Sequence, residues 1–259
     1  MTWRLLVENP AGGAWNMALD EAIAGAVGRG HVPPTFRLYG WRVPTVSLGY
    51  AQPWKTAPDL DVCRGRGIEI VRRPTGGRAL LHAAEITYSV CVPLAGDWAG
   101  LSVTDSFGRI SAALIAGLRR VGIDAQIGTG PRGAAQRPSA CFQLAGIPAI
   151  VVGARKLVGS AQRRWDTGLL QHGSILIHFD PGLHAALFPD WNEAAAERVT
   201  CLAALAPGID RQTVEAALMA GWSEVLGPGA SGTLTPDERT EAQRLVRYRY
   251  GNADWTFRR

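Results

Sequence analysis

The sequence predicts an α+β fold, a mixed β-sheet flanked by helices, on three observations. Strand-like and helix-like segments are interspersed without regular βαβ alternation. Residues 86–92, "ITYSVCV", alternate cleanly, with Ile86, Tyr88, Val90 and Val92 on one side and Thr87, Ser89 and Cys91 on the other. Residues 104–121 instead place Phe107, Ile110, Leu114, Leu118 and Val121 on one helical stripe.

The remaining elements follow in order. Leu19, Ala22, Ile23, Ala26 and Val27 have helical spacing, and Asp20 and Glu21 are read as early acids favoured by the helix dipole. "TFRLYGW" and "TVSLGY", separated by Pro44, read as short strands, and "IEIVRR" as a third. Ser102, Thr104 and Asp105 are available to cap the 104–121 helix. After an irregular stretch at 128–140, two apolar runs around Gly153-Ala154-Arg155 read as a β-hairpin, and "GSILIHF" as a further strand. From about residue 181 the chain turns Ala-rich and helical, ending in a capped helix at "TPDERTEAQRL" and an aromatic tail. With neither repeats nor a low-complexity linker, residues 1–259 are expected to form a single domain with a helical C-terminal part.

Composition limits function. Hydrophobic residues make up 47% and charged residues 19% of the 259, ordinary for a globular protein. No apolar run reaches the ~18–20 residues of a membrane span, and the N-terminus lacks a signal-peptide pattern. The four cysteines are too sparse for a disulfide scaffold and wrongly spaced for zinc, so a reduced, cytoplasmic setting is expected. The net charge of +5 suits an acidic partner, whether nucleic acid, a phosphorylated cofactor or an acidic carrier protein. Of 27 basic residues only Lys55 and Lys156 are lysine. Where an Arg-rich chain still uses Lys, a group able to lose its proton is one explanation.

Among the motifs, "GTGPRG" at 128–133 has the G-x-G-x-x-G spacing, but Pro131 and the Pro/Arg/Ala run after it contradict the helix that a dinucleotide fingerprint opens. No Walker A loop, H-E-x-x-H or G-x-S-x-G elbow is present. "RRPTGGRALLH", residues 72–82, sets a Gly pair among arginines after a strand. Such a turn lets backbone N–H groups approach a ligand while Arg forks onto an oxygen; the plain alternative is a solvated basic turn. The five histidines show no metal spacing, though His82 and His172 stand beside Gly-containing segments. Cys91 reads as a packing residue within its strand, and Cys63 and Cys201 as small hydrophobes. Cys141 in "RPSACFQL" follows a loop with Arg132 and Arg137 and precedes Lys156 by fifteen residues. Nearby cations favour the reactive thiolate, so packing thiol and nucleophile both stand at this point.

"NMALDEAI", "FRLYGWRVPTVSLGYAQ", "VRRPTGGRALLHAAEITYSV", "SACF", "ARKLVGSAQRR" and "LQHGSILI" occur in this order and together resemble the lipoate and octanoate transferase family, closest to its Bacillus-type octanoyltransferases. The resemblance spans residues 3–180 and implies a biotinyl/lipoyl-transferase catalytic fold. It implies that Cys141 accepts an octanoyl group as a thioester and that Lys156 lowers the thiol's pKa and transfers protons. It further implies an acyl pocket lined by Arg72, Arg73, Gly76, Gly77 and His82, and assigns Gly159, Ser160, Ala161, His172 and Gly173 to substrate binding as well. The expected donor is octanoyl-acyl carrier protein and the expected acceptor a lipoyl domain such as glycine cleavage H protein, with no cofactor, metal, nucleic acid or membrane. Two positions depart from the family pattern: Ala83 stands where an acid usually follows the histidine, and "QLAGIPAI" replaces the usual segment after Cys-Phe. The rival readings are an ATP-dependent lipoate–protein ligase, which needs no cysteine, an octanoyl amidotransferase between lipoyl domains, and a non-catalytic acyl-binding protein.

Overall fold

The computed structural model describes residues 2–56, 58–128 and 149–258. Its strands and helices in chain order are β1 (Trp3–Val7), α1 (Gly13–Gly28), β2 (Thr35–Tyr39), β3 (Thr45–Leu48), α2 (Leu60–Gly65), β4 (Glu69–Arg72), β5 (Leu80–His82), β6 (Glu85–Pro93), α3 (Val103–Arg120), β7 (Gln126–Gly128), β8 (Ala149–Val152), β9 (Arg155–Arg164) and β10 (Gly168–Leu176). There follow α4 (Pro181–Leu187), α5 (Glu193–Ala196), α6 (Leu202–Leu205), α7 (Arg211–Leu226), β11 (Gly229–Ser231), α8 (Pro236–Leu245) and α9 (Ala253–Thr256).

Eight strands form one mixed sheet in the order β11-β1-β2-β6-β10-β9-β8-β7, and β4-β3-β5 form a second. From β2 to β7 neighbouring strands run antiparallel, whereas β1 pairs parallel with both β2 and β11. This is the mixed, helix-flanked α+β architecture expected from the sequence. The C-terminal part is not purely helical: β11 returns to the edge of the large sheet beside β1.

The alternation of β6 divides the two layers. Ile86, Tyr88, Val90 and Val92 join the core beneath α3 and α7, and Cys91 joins the core beneath α1 and α8. Both faces are therefore covered, and every residue of β6 before Pro93 is buried. In the first layer Phe36 stacks on Trp222, with ring centroids 4.0 Å apart. The two helices there cross at glycines: a Cβ on Gly221 would come within 2.1 Å of the Gly117 nitrogen. A third core of Val46, Leu48, Leu187 and Phe188 covers the small sheet.

Helix ends follow local chemistry. Ser102 and Asp105 close a capping box on α3, and Thr235 and Glu238 do so on α8. Helix α1 begins at Gly13 with no capping side chain and no acid in its first turn. Asp20 and Glu21 are therefore mid-helix, and the dipole reading of them is corrected. Asp20 lies buried against Arg37, while Glu21 receives hydrogen bonds from Arg249 and Tyr250.

Candidate active site

Where the two sheets meet α1 they line a partly open pocket. Met17 comes from α1, Tyr39 from β2, Thr87 from β6, and Leu80 and His82 from β5. Gly159, Ser160 and Ala161 of β9 and His172 and Gly173 of β10 form the opposite wall, and Arg73 closes a corner. In the ladder Ala161 pairs with His172 and Ser160 with Gly173. A Cβ on Gly173 would come within 2.6 Å of the Gly159 oxygen, so this strand crossing requires glycine.

Each cavity histidine is held at both ring nitrogens. His172 Nδ1 donates to Asp20 Oδ2 at 2.9 Å, and its Nε2 meets Thr75 Oγ1 at 2.6 Å. Asp20 also receives Arg37 Nη1 at 2.8 Å and the Tyr39 hydroxyl at 2.9 Å. Burial alone would raise the Asp20 pKa, but the His172 bond and the Arg37 charge hold it below the usual carboxylate value. Burial lowers the His172 pKa despite Asp20, so the ring is neutral near pH 7. Thr75 is then the donor to Nε2.

His82 repeats the pattern. Its Nδ1 donates to Glu85 Oε1 at 2.8 Å, its Nε2 bonds Ser47 Oγ at 2.8 Å, and its ring stacks on Trp41 with centroids 4.0 Å apart. Glu85 also accepts from Thr87 and Ser174. Burial would raise its pKa, but the adjacent His82 imidazole and these hydrogen bonds hold it down. Glu85, two residues beyond Ala83, thus supplies an acid to the histidine. The Arg73 guanidinium reaches the carbonyls of Ser47, Gly76 and Arg78 at 2.7–2.9 Å.

The expected site residues therefore separate into groups. Arg73, His82, Gly159, Ser160, Ala161, His172 and Gly173 share the cavity wall. Arg72, Gly76 and Gly77 lie outside that lining. The buried Arg72 guanidinium donates to the carbonyls of Gly49, Gln52 and Thr256, tying the "RRPTGG" turn to the C-terminal tail. Gly77 has a φ of +94°, and a Cβ on Gly49 would come within 1.9 Å of its carbonyl oxygen. Lys156 is buried near the start of β9, its N–H on Arg198 O at 2.7 Å and its carbonyl receiving Thr200 N at 3.0 Å. Beside it the β8–β9 register slips: Val151 pairs with Lys156 and Ile150 with Val158. Such bulges re-aim side chains next to functional sites. Cys141 and nearly all of the "GTGPRG" loop lie outside the described residues. The other three cysteines are buried; burial pushes the Cys63 thiol up to about 11 and the Cys91 thiol well above its usual value.

Sequence reasoning missed Asp20, Thr75, Ser47 and Glu85, which position the histidines, and Met17, Tyr39, Leu80 and Thr87, which line the cavity. A signal existed: Arg37 interrupts the strand "TFRLY", and a charge buried there requires an opposite charge on the covering helix. Among the described residues no cluster of His, Cys, Asp and Glu could hold a metal ion. None of the described helices is long and apolar enough to cross a membrane.

The class this fold defines is the catalytic domain of lipoate–protein ligases. The structure superposes on lipoate-protein ligase A bound with ATP at a TM-score of 0.85 and 27% identity, covering 99% of each chain. A bipartite lipoate protein ligase from Thermoplasma acidophilum gives 0.81 and 25%, over 99% of this chain and 96% of that one. Residues 13–223 match the family described as the lipoyl protein ligase A/B catalytic domain, and the chain belongs to that family. Its curated relatives include Octanoyltransferase LipM from Kyrpidia tusciae, 42% identical over 100% of this chain and 99% of the relative. Octanoyltransferase LipM from Symbiobacterium thermophilum is 40% identical over 99% of this chain and 98% of the relative.

Proposed function

We propose that the protein is an acyltransferase of lipoate biosynthesis that moves an octanoyl group from octanoyl-acyl carrier protein to the lysine of a lipoyl domain, with glycine cleavage H protein as the expected acceptor. The observation that carries this reading is end-to-end similarity to octanoyltransferases at 40–42% identity, against 27% for the ATP-bound ligase. The pocket between the two sheets supports it, because most of the residues that the resemblance assigns to the acyl site line it together.

In this mechanism the Cys141 thiolate attacks the donor thioester, a new C–S bond forms, the carrier's C–S bond breaks, and the leaving thiolate takes a proton from Lys156, which becomes neutral. Lys156 as ammonium favours the thiolate and stabilises the oxyanion. The acceptor lysine's amine then attacks the acyl-enzyme, the bond to Cys141 breaks, and the proton shed by the amine passes to neutral Lys156. Thioester to amide is downhill, so ATP has no role. Arginine could stabilise charge but not take up that proton, which accounts for lysine at this position in an Arg-rich chain. The acyl chain lies in the cavity between β5 and the β9–β10 wall, each buried methylene stabilising it by up to ~0.8 kcal/mol.

The test is intact mass spectrometry after mixing with octanoyl-acyl carrier protein alone. The wild type is expected to gain one octanoyl group and Cys141→Ala none. A Cys141→Ala protein that still octanoylates a lipoyl domain would overturn the nucleophile.

A further inference from the structure

The cavity walls differ in how firmly they are held. Arg73 is fixed on three carbonyls, His82 between Glu85 and Ser47, His172 between Asp20 and Thr75, and Tyr39 on Asp20. The β9–β10 wall is a backbone ladder. None of these can retreat without leaving a buried polar group unpaired. The lining side chains with no polar anchor are Met17, Leu80 and Ala161, and alanine has no rotamer to yield. Leu80 lies on β5 and pairs with Ser47 of β3, so its backbone is held in the small sheet. Met17 lies on α1 one turn before Asp20, beside the carboxylate that fixes both His172 and Tyr39. Methionine is unbranched and adapts to whatever volume it is left.

The direction of the acyl chain follows from the sheet. On the octanoyl-transfer reading, on which this inference rests, the thioester lies near Lys156. Lys156 pairs with β8, whereas α1 packs across β6 and β10 towards the middle of the sheet. Five residues of β9 separate Lys156 from Ala161, or about 17 Å at the strand rise. An extended octanoyl chain measures ~9 Å at ordinary C–C bond lengths, so one that starts near Lys156 and lies along β9 fits within that span. Such a chain runs towards the pocket whose lining Ala161 shares with Met17 of α1.

We propose that Met17 is the residue that sets acyl-chain length, closing the far end of the cavity at eight carbons. The polar network of Asp20, His172 and Tyr39 holds the surrounding wall rigid, so the cavity deepens or shortens through this side chain.

The experiment supplies an equimolar mixture of hexanoyl-, octanoyl-, decanoyl- and dodecanoyl-acyl carrier protein with a lipoyl domain, and reads the product masses. Wild type is expected to give mainly octanoyl product. Met17→Ala opens space for about two methylenes, each worth roughly fourfold in relative kcat/KM, so the decanoyl-to-octanoyl ratio should rise ~15-fold. Met17→Phe should move the preference towards hexanoyl. If Met17→Ala does not fold, the nearly isosteric Met17→Leu carries the test, with a two- to fourfold rise in the same ratio. A folded Ala or Leu variant with the wild-type ratio overturns the proposal, as does a shift produced by Leu80→Ala and not by Met17→Ala. A wild type that transfers no acyl group from any carrier sinks the octanoyl-transfer reading instead, and the gauge with it.

Discussion

At His172, burial and the Asp20 carboxylate pull the ring's charge in opposite directions, and burial prevails. The consequence for stability has a definite sign. In the unfolded chain the imidazole titrates near 6.5; in the folded protein it does so lower. Between those values only the unfolded state binds the proton, so stability falls as pH drops below about 6.5. His184, buried among Phe179, Phe188 and Trp191, is shifted the same way. Asp20 acts lower still: its folded pKa is depressed, so its contribution is lost only as pH falls through that value. Urea titrations between pH 7 and 5 should show stability declining by up to about 1.4 kcal/mol per pH unit for each such proton. His172→Gln should remove one proton's share of that slope; a variant as steep as wild type would contradict the neutral, tautomer-fixed ring. His82 and His172 were legible beforehand as histidines beside glycine-rich segments. The carboxylates that pair with them were not: Asp20 lies far from His172 in the chain, and Glu85, only three residues after His82, stands just outside the alternating stretch 86–92. Arg72 shows the reverse: its motif pointed to the pocket, yet its guanidinium binds the C-terminal tail.

Elements with strong local signals were readable and short ones were not. The start of α3 could be read from Ser102 and Asp105, and the two faces of β6 from simple alternation. Strands β7 and β11 have three residues each, too few to carry a period. Helix α1 lacks a capping side chain, so no residue type marks its start and the early-acid reading of Asp20 fails. The α3–α7 crossing depends on small residues in a way that mutation can expose. Gly221→Ala drives a Cβ into the Gly117 backbone and should destabilise the fold by about 1–3 kcal/mol or more. Gly108→Ala, on α3 with nothing within 4 Å of the added atom, should stabilise by up to about 1 kcal/mol. Equal effects from the two substitutions in chemical denaturation would contradict the close-packed crossing.

For the whole molecule, the two sheets and α1 do one job together: they line a pocket between two buried imidazole–carboxylate pairs. The same frame carries ATP-bound lipoate–protein ligase A, so the fold does not choose between activated donors. The end-to-end match to octanoyltransferases favours the proposed thioester donor over an adenylate. The net charge of +5 suits an acidic carrier that delivers it. The most direct measurement incubates the protein with octanoyl-acyl carrier protein and a lipoyl domain without ATP, and in parallel with free octanoate and ATP. The account predicts a lipoyl domain heavier by one octanoyl group in the first reaction and unmodified in the second; modification only in the second would contradict it.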